Sequence, residues 1–154
     1  MAPSRCTGCG LLVEGGTEGC REIFTALGVR AWEDARIGRF HWIVVDAYAL
    51  QHPDEFCASA KSLAAHLMGL CAGLEHADDP TLRPALQRWL NGMSPVTKPD
   101  LPDFRGSLTI ADVQAAADPS EYELVVDAWT RDVWAAYALL QTLAREWIAG
   151  VLAK

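Results

Sequence analysis

The sequence predicts an all-α protein: a compact bundle of about five to six helices. Its N-terminus is expected to be irregular and to be held against the bundle by a metal ion. Three observations support this fold class. Apolar residues recur at helical spacing along most of the chain, proline and glycine divide that pattern into segments, and three cysteines lie in a Gly-rich start. The 154 residues are 51% hydrophobic, which is enough for a single helical domain, 1–154, with a buried core.

The N-terminal segment 1–18 has the pattern of a zinc knuckle. Cys6 and Cys9 are separated by two residues and followed by Gly10, which lets the backbone turn so that both thiolates point at one ion. Cys20 follows a Gly-rich stretch and supplies a third sulfur. Since a closed zinc site has four ligands, usually Cys or His, the sequence predicts a fourth ligand elsewhere in the chain.

His52 is the favoured fourth ligand, because it lies at a predicted joint between two helices. His41 is eleven residues earlier on one helix face and about 16 Å away along the axis, so the two histidines cannot share one ion. The alternatives are His41, Cys57, Cys71, His66 and a water molecule. Zinc is the expected metal, with copper(I) as the alternative for a thiolate-rich site.

A thioredoxin-type redox motif is the competing interpretation of the cysteine pair. Such a motif follows a strand and opens a helix. No strand is expected before Cys6, so the metal interpretation is preferred.

Three helices are predicted in the first half of the chain. The first covers 18–27 and stops at Gly28. The second covers 34–51, although Trp42 to Val45 also fits a short strand. Pro53 ends it and starts the third, which runs to residue 75, because proline is tolerated at the first helical position.

Three more helices are predicted in the second half. Thr81 begins a helix that ends at residue 91, before Gly92. A Pro-rich loop follows over 93–108. A short helix covers 109–117, and Asp118 caps a long helix that runs to about residue 151 with a continuous apolar stripe.

His66, Asp46 and His41 are the candidate catalytic residues. His66 lies among apolar residues of the third helix, as a core histidine or as an acid–base group. Asp46 lies in an apolar run and needs a partner if it is buried. It can accept the ring N–H of a ligating or catalytic histidine, or form a structural hydrogen bond to a neighbouring helix.

The segment Val45 to Pro53 is similar to the signature of an uncharacterised bacterial family of unknown function. Members resemble this chain in the Cys-x-x-Cys-Gly knuckle, in a later Gly-Cys pair, in a histidine that matches His41, and in a Ser-x-Ala-x-His-Leu helix that matches 62–67. Segments at 108–113 and 129–134 are also similar. The resemblance supports residues and implies no known reaction.

Three functions remain open: a zinc-binding helical protein with a small-molecule pocket, a metal-assisted hydrolase or lyase, and a non-enzymatic sensor or partner-docking module. The net charge is −7, which argues against a nucleic-acid partner. No apolar run is long enough for a membrane span, and no signal peptide is expected. The chain is expected to be cytoplasmic, with reduced thiols.

Overall fold

The computed structural model of the protein describes residues 2–154. The chain begins with an antiparallel hairpin of two short strands, β1 Pro3–Arg5 and β2 Leu12–Glu14. Its register pairs Pro3 with Glu14, Ser4 with Val13 and Arg5 with Leu12. The prediction that this segment is irregular, with no strand before Cys6, was wrong. Strands of three residues are too short to show a reliable alternation in the sequence.

The rest of the fold is helical, which confirms the predicted class, although the helices are more numerous than expected. Nine α-helices lie within residues 2–154: α1 Gly16–Glu33, α2 Ala35–Gly38, α3 His41–Gln51, α4 Pro53–Phe56, α5 Ala60–Glu75, α6 Leu82–Asn91, α7 Ile110–Gln114, α8 Pro119–Ala136 and α9 Gln141–Leu152. The additional helices arise because tertiary contacts divide three of the predicted segments.

Helix α1 is longer than predicted at both ends. Gly28 does not stop it: a Cβ at this position would meet nothing within 4 Å, so the glycine lies on an open face of the helix. A glycine in a helix interior costs about 1 kcal/mol, which a helix of this length tolerates. The helix ends at Glu33, and the Asp34 side chain then accepts a hydrogen bond from the backbone N–H of Arg36 at 3.0 Å.

The predicted helix 34–51 is divided into α2 and α3. A Cβ on Gly38 would lie 2.3 Å from the carbonyl oxygen of Ala31, so α2 lies too close to the backbone of α1 for any side chain there. The chain turns at Arg39 and Phe40 and enters α3. Trp42 to Val45 are helical, so the local strand alternative was wrong.

Two other predicted helices are also divided. The segment 53–75 breaks into α4 and α5, and the Ser59 hydroxyl caps α5 by accepting the N–H of Ser62 at 3.0 Å. The segment 118–151 breaks at Tyr137, whose hydroxyl donates to the carbonyl of Leu50 at 2.6 Å. A 3₁₀ turn, Ala138–Leu140, then leads into α9.

Helix α3 forms the centre of the core. It packs against α5 and α8, and every residue from Asp46 to Gln51 is buried. The largest fully buried side chains are Trp129, Tyr48, Tyr122 and Tyr137. Because α3 is enclosed on several sides, its C-terminal end is a fixed platform for the residue that follows, His52.

The Pro-rich segment 93–108 contains no helix or strand, and it is fastened to the core through Gln51. The Gln51 amide donates to the carbonyls of Arg105 at 3.0 Å and Leu108 at 2.8 Å, and its oxygen accepts the indole N–H of Trp129 at 3.0 Å. Both N–H groups of the Gln51 amide and its oxygen are therefore hydrogen-bonded.

In the part of the chain that the structure describes, no helix combines the length and apolar character that crossing a bilayer requires.

Candidate metal centre

Four side chains from three places in the chain converge on one point. Cys6 and Cys9 lie in the loop of the hairpin, Cys20 lies near the start of α1, and His52 lies at the joint between α3 and α4. Their ligand atoms, three Sγ and one ring nitrogen, are all within 4.8 Å of one another. These are the four residues that the sequence favoured.

Three of the six separations within the cluster can be compared directly with a tetrahedral zinc ion, and they fit it. Zn–S bonds of about 2.3 Å and Zn–N bonds of about 2.0 Å place two sulfurs about 3.8 Å apart and sulfur and nitrogen about 3.5 Å apart. The Sγ atoms of Cys9 and Cys20 are 3.7 Å apart. Nε2 of His52 lies 3.5 Å from the sulfur of Cys20 and 3.3 Å from that of Cys6.

The His52 ring is held so that Nε2 faces the sulfurs. Its Nδ1–H donates to the carbonyl of Tyr48 at 2.7 Å, which leaves the lone pair on Nε2 for a metal. The Tyr48 ring stacks on the imidazole, with centroids 3.9 Å apart. On the other side, the knuckle comes so close that a Cβ on Gly8 would lie 2.3 Å from Cδ2 of His52.

The thiols of the cluster are electrostatically coupled. A hydrogen bond from the Cys20 thiol lowers the pKa of Cys9 to about 4, and the same contact, together with burial, raises the pKa of Cys20. The Tyr48 hydroxyl also points at the sulfur of Cys20, at 3.7 Å. The Cys9 thiolate is therefore favoured even without a cation, whereas the Cys20 thiol needs a positive ion to lose its proton.

The cluster is closed rather than open. Cys6, Cys20 and His52 are buried, and Cys9 is partly exposed. Arg105, from the Pro-rich segment, lies over the knuckle and donates to the carbonyl of Gly8 at 3.1 Å. With four protein ligands, a tetrahedral ion has no free position for water or substrate.

The alternative ligands lie elsewhere. Cys57 donates to the carbonyl of Ala49 at 3.6 Å, and Cys71 contacts the carboxylate of Glu75 at 3.6 Å. Burial raises the pKa of each thiol to about 12, which is typical of inert buried cysteines. The His41 ring packs edge-on against Trp42, with centroids 5.2 Å apart.

Asp46 and His66 form a second polar centre. The buried Asp46 carboxylate accepts the Nδ1–H of His66 at 3.0 Å and an Nη2–H of Arg83 at 3.1 Å. Gly69 makes room for it, because a Cβ there would lie 2.3 Å from Oδ2. The idea that Asp46 orients the metal-ligating histidine was wrong, because the N–H of His52 goes to a backbone carbonyl.

The structure therefore brings the predicted metal ligands together and pairs two of the three predicted catalytic residues, His66 and Asp46. A catalytic role for His66, Asp46 and His41 stays a prediction. Sequence reasoning missed Arg83 and Arg105. Arg83 is 37 residues from its partner, and Arg105 is 97 residues from its own, so no local pattern identified either contact.

Comparisons with known proteins give one result. The model of a family of unknown function (DUF5946) matches residues 4–138, a range that includes all four cluster residues and the Asp46 centre. The comparison with curated proteins found no match, and neither did the comparison with solved structures.

Proposed function

This chain belongs to that family of unknown function, and because the family name implies no reaction, we propose a function from the geometry of the site. We propose that the protein binds one zinc ion through Cys6, Cys9, Cys20 and His52. The ion is structural: it fastens the N-terminal hairpin to α1 and to the end of α3.

The observation that supports this proposal best is the match between the separations of the ligand atoms and a tetrahedron of three sulfurs and one nitrogen. Three of the six separations between ligand atoms are 3.3 to 3.7 Å and all six are within 4.8 Å, which leaves space for an ion among them. Three thiolates and a neutral imidazole carry a net charge of −1 with Zn²⁺. The Arg105 guanidinium above the knuckle offsets this charge.

Zinc is preferred over copper(I) because the set is a closed Cys₃His tetrahedron, a standard structural zinc site. Copper(I) prefers soft sulfur ligands and lower coordination, so the imidazole with its fixed orientation favours zinc. Binding contributes to folding directly, since the four ligands come from three separate segments that are not assembled in the unfolded chain.

The test is elemental analysis of protein purified without chelator, together with cobalt(II) substitution. We expect one zinc per chain, and cobalt absorption bands typical of tetrahedral thiolate coordination. His52→Gln should lose the metal, whereas His76→Gln, which changes a histidine outside the cluster, should keep it. Absence of any bound transition metal in folded protein, or equal zinc content in both variants, would overturn the proposal.

A second candidate function is an acid–base centre at His66, and its support is the Asp46 contact. With Nδ1–H bound by a carboxylate, Nε2 keeps its lone pair and can accept a proton. Because His66 and Asp46 lie outside the metal cluster, we propose that any such chemistry, of the hydrolase or lyase kind, is independent of the zinc ion. A screen of small esters, amides and lyase substrates with the parent, His66→Gln and His76→Gln would test it: equal rates in all three proteins would refute it.

A further inference from the structure

A cavity of about 660 Å³ lies on the side of the bundle where α3, α5, α6 and α8 meet. Its volume is within the range of small-molecule clefts. Trp42 and Leu124 form part of its wall, and these two large apolar side chains are 61% and 71% exposed. Phe40 and Ile43 extend the apolar wall. The cavity therefore offers an apolar surface that no other part of the described chain covers.

Four charged residues of the lining form ion pairs with one another, and a further carboxylate, Asp79, accepts hydrogen bonds from the backbone N–H and the hydroxyl of Thr81. Arg39 donates to Glu123 at 2.8 Å, and Arg131 forms an ion pair with Asp127 at 3.0 Å. All four of these side chains line the cavity. Such pairs leave little net field for a ligand.

Arg83 differs from the other two arginines, because its ion-pair partner lies outside the lining. Its Nη2 is bound by the buried Asp46 carboxylate, which also accepts the N–H of His66. The Arg83 side chain remains 40% exposed, and it lines the cavity. A guanidinium has five N–H donors in a fixed plane, so one edge can stay on Asp46 while another faces a ligand.

We propose that this cavity binds a small organic acid with an apolar body, whose carboxylate or other single anionic group is bound by Arg83. The apolar body lies against Trp42 and Leu124. Asp46 and His66 act as positioning residues, because they fix the guanidinium before the ligand arrives and so reduce the entropy that binding loses. This inference is independent of the zinc site and goes beyond it.

The probe for the test is 8-anilinonaphthalene-1-sulfonate, which has an aromatic body and one sulfonate. We expect saturable binding to the native, zinc-loaded protein with one site per chain, measured by probe fluorescence. Octanoate should displace the probe, whereas octylammonium, with the same tail and the opposite charge, should not. Equal displacement by both would show a purely apolar surface and overturn the proposal.

Two matched pairs of variants locate the site. Leu124→Ala should weaken probe binding about fivefold, since it removes part of an apolar wall, whereas Leu139→Ala, which is 96% exposed and outside the cavity, should have no effect. Arg83→Gln should weaken it about tenfold or more, the loss of a charged hydrogen bond, whereas Arg88→Gln on the same helix should not.

Arg83→Gln removes one partner of a buried carboxylate and can lower stability, so a thermal melt must accompany it. The Leu124 pair keeps the test decisive if Arg83→Gln fails to fold, because an exposed leucine contributes little to stability. Unchanged probe affinity in Leu124→Ala, or equal losses in Leu124→Ala and Leu139→Ala, would refute the assignment of this cavity.

Discussion

Replacing Gly8 with alanine tests how closely the knuckle must approach the ligand histidine. Gly8 does not have a positive φ, so the backbone itself would accept alanine. The surrounding atoms, however, leave no room for a Cβ. A Cβ at this position would lie 2.3 Å from Cδ2 and 2.9 Å from Cγ of His52, and 2.8 Å from the carbonyl oxygen of Gln51.

The magnitude follows from these overlaps. Two non-bonded carbons need about 3.5 Å, so the knuckle and the ring must separate by about 1 Å. The ring cannot retreat easily, because Nδ1–H is bound to a carbonyl and the Tyr48 ring stacks against it. Metal–ligand distances tolerate only about 0.2 Å. We therefore expect Gly8→Ala to weaken zinc binding about 100-fold, which corresponds to about 2.7 kcal/mol.

The assay is a competitive zinc titration with a chromogenic chelator, accompanied by thermal melts with and without added zinc. Gly28→Ala is the matched control: the same chemical change in an open face of α1 should stabilise the protein by up to about 1 kcal/mol and leave zinc affinity unchanged. If Gly8→Ala binds zinc as tightly as the parent, the close approach does not control the site and the reasoning fails.

Three other predictions rest on a polar contact, on the burial of a thiol and on the net charge. Asp46→Asn should lower the free energy of unfolding by about 2–4 kcal/mol in denaturant titrations, because His66 and Arg83 lose a charged partner. The zinc content per folded molecule should not change, since the ring N–H of His52 has its own acceptor. A loss of zinc in this variant would contradict the reasoning. Burial raises the pKa of Cys57 from 9.0 to about 12, so the stability that its neutral thiol contributes is fully present below about pH 9 and is lost as the pH rises through about 12. The free energy of unfolding of Cys57→Ala should therefore fall less steeply with rising pH than that of the parent. An identical fall in both proteins would count against this role of Cys57. The acidic chain should not bind a short DNA duplex at physiological salt, and micromolar binding that weakens steeply with added salt would show otherwise.

The sequence predicted the metal cluster better than it predicted the helix boundaries. Metal ligands are chemically distinctive, and the spacing of Cys6 and Cys9 has few alternative explanations. His52 was favoured because Pro53 marks a helix joint, and the structure places that joint beside the knuckle. Local residue types therefore carried enough information for this site.

Helix boundaries depended on contacts between distant residues. The sequence does not distinguish the environments of Gly28 and Gly38. The first lies on an open helix face, and the second lies against the backbone of another helix. At the break, the Tyr137 hydroxyl donates to the Leu50 carbonyl, which is 87 residues away. No local sequence pattern contains such information, so the sequence could not predict where the long helices are divided.

The partners of Asp46 were unpredictable for the same reason. The sequence indicated only that a carboxylate in an apolar run needs a partner. Which histidine it meets depends on how α3 and α5 pack. That packing places Asp46 against Gly69 and His66, whereas His52 turns its N–H back onto its own helix.

The spread of the four ligands along the chain determines the order in which the site can be completed. Three sulfurs lie within the first twenty residues, so a short unfolded segment can already bring them together. His52 is 32 residues beyond Cys20, and closing a loop of that length costs about 4 kcal/mol of chain entropy. We therefore expect the imidazole to join the proposed site after α1 and α3 have packed. If the proposed zinc ion is bound, the appearance of four-coordinate zinc during refolding would report that this half of the bundle has already assembled.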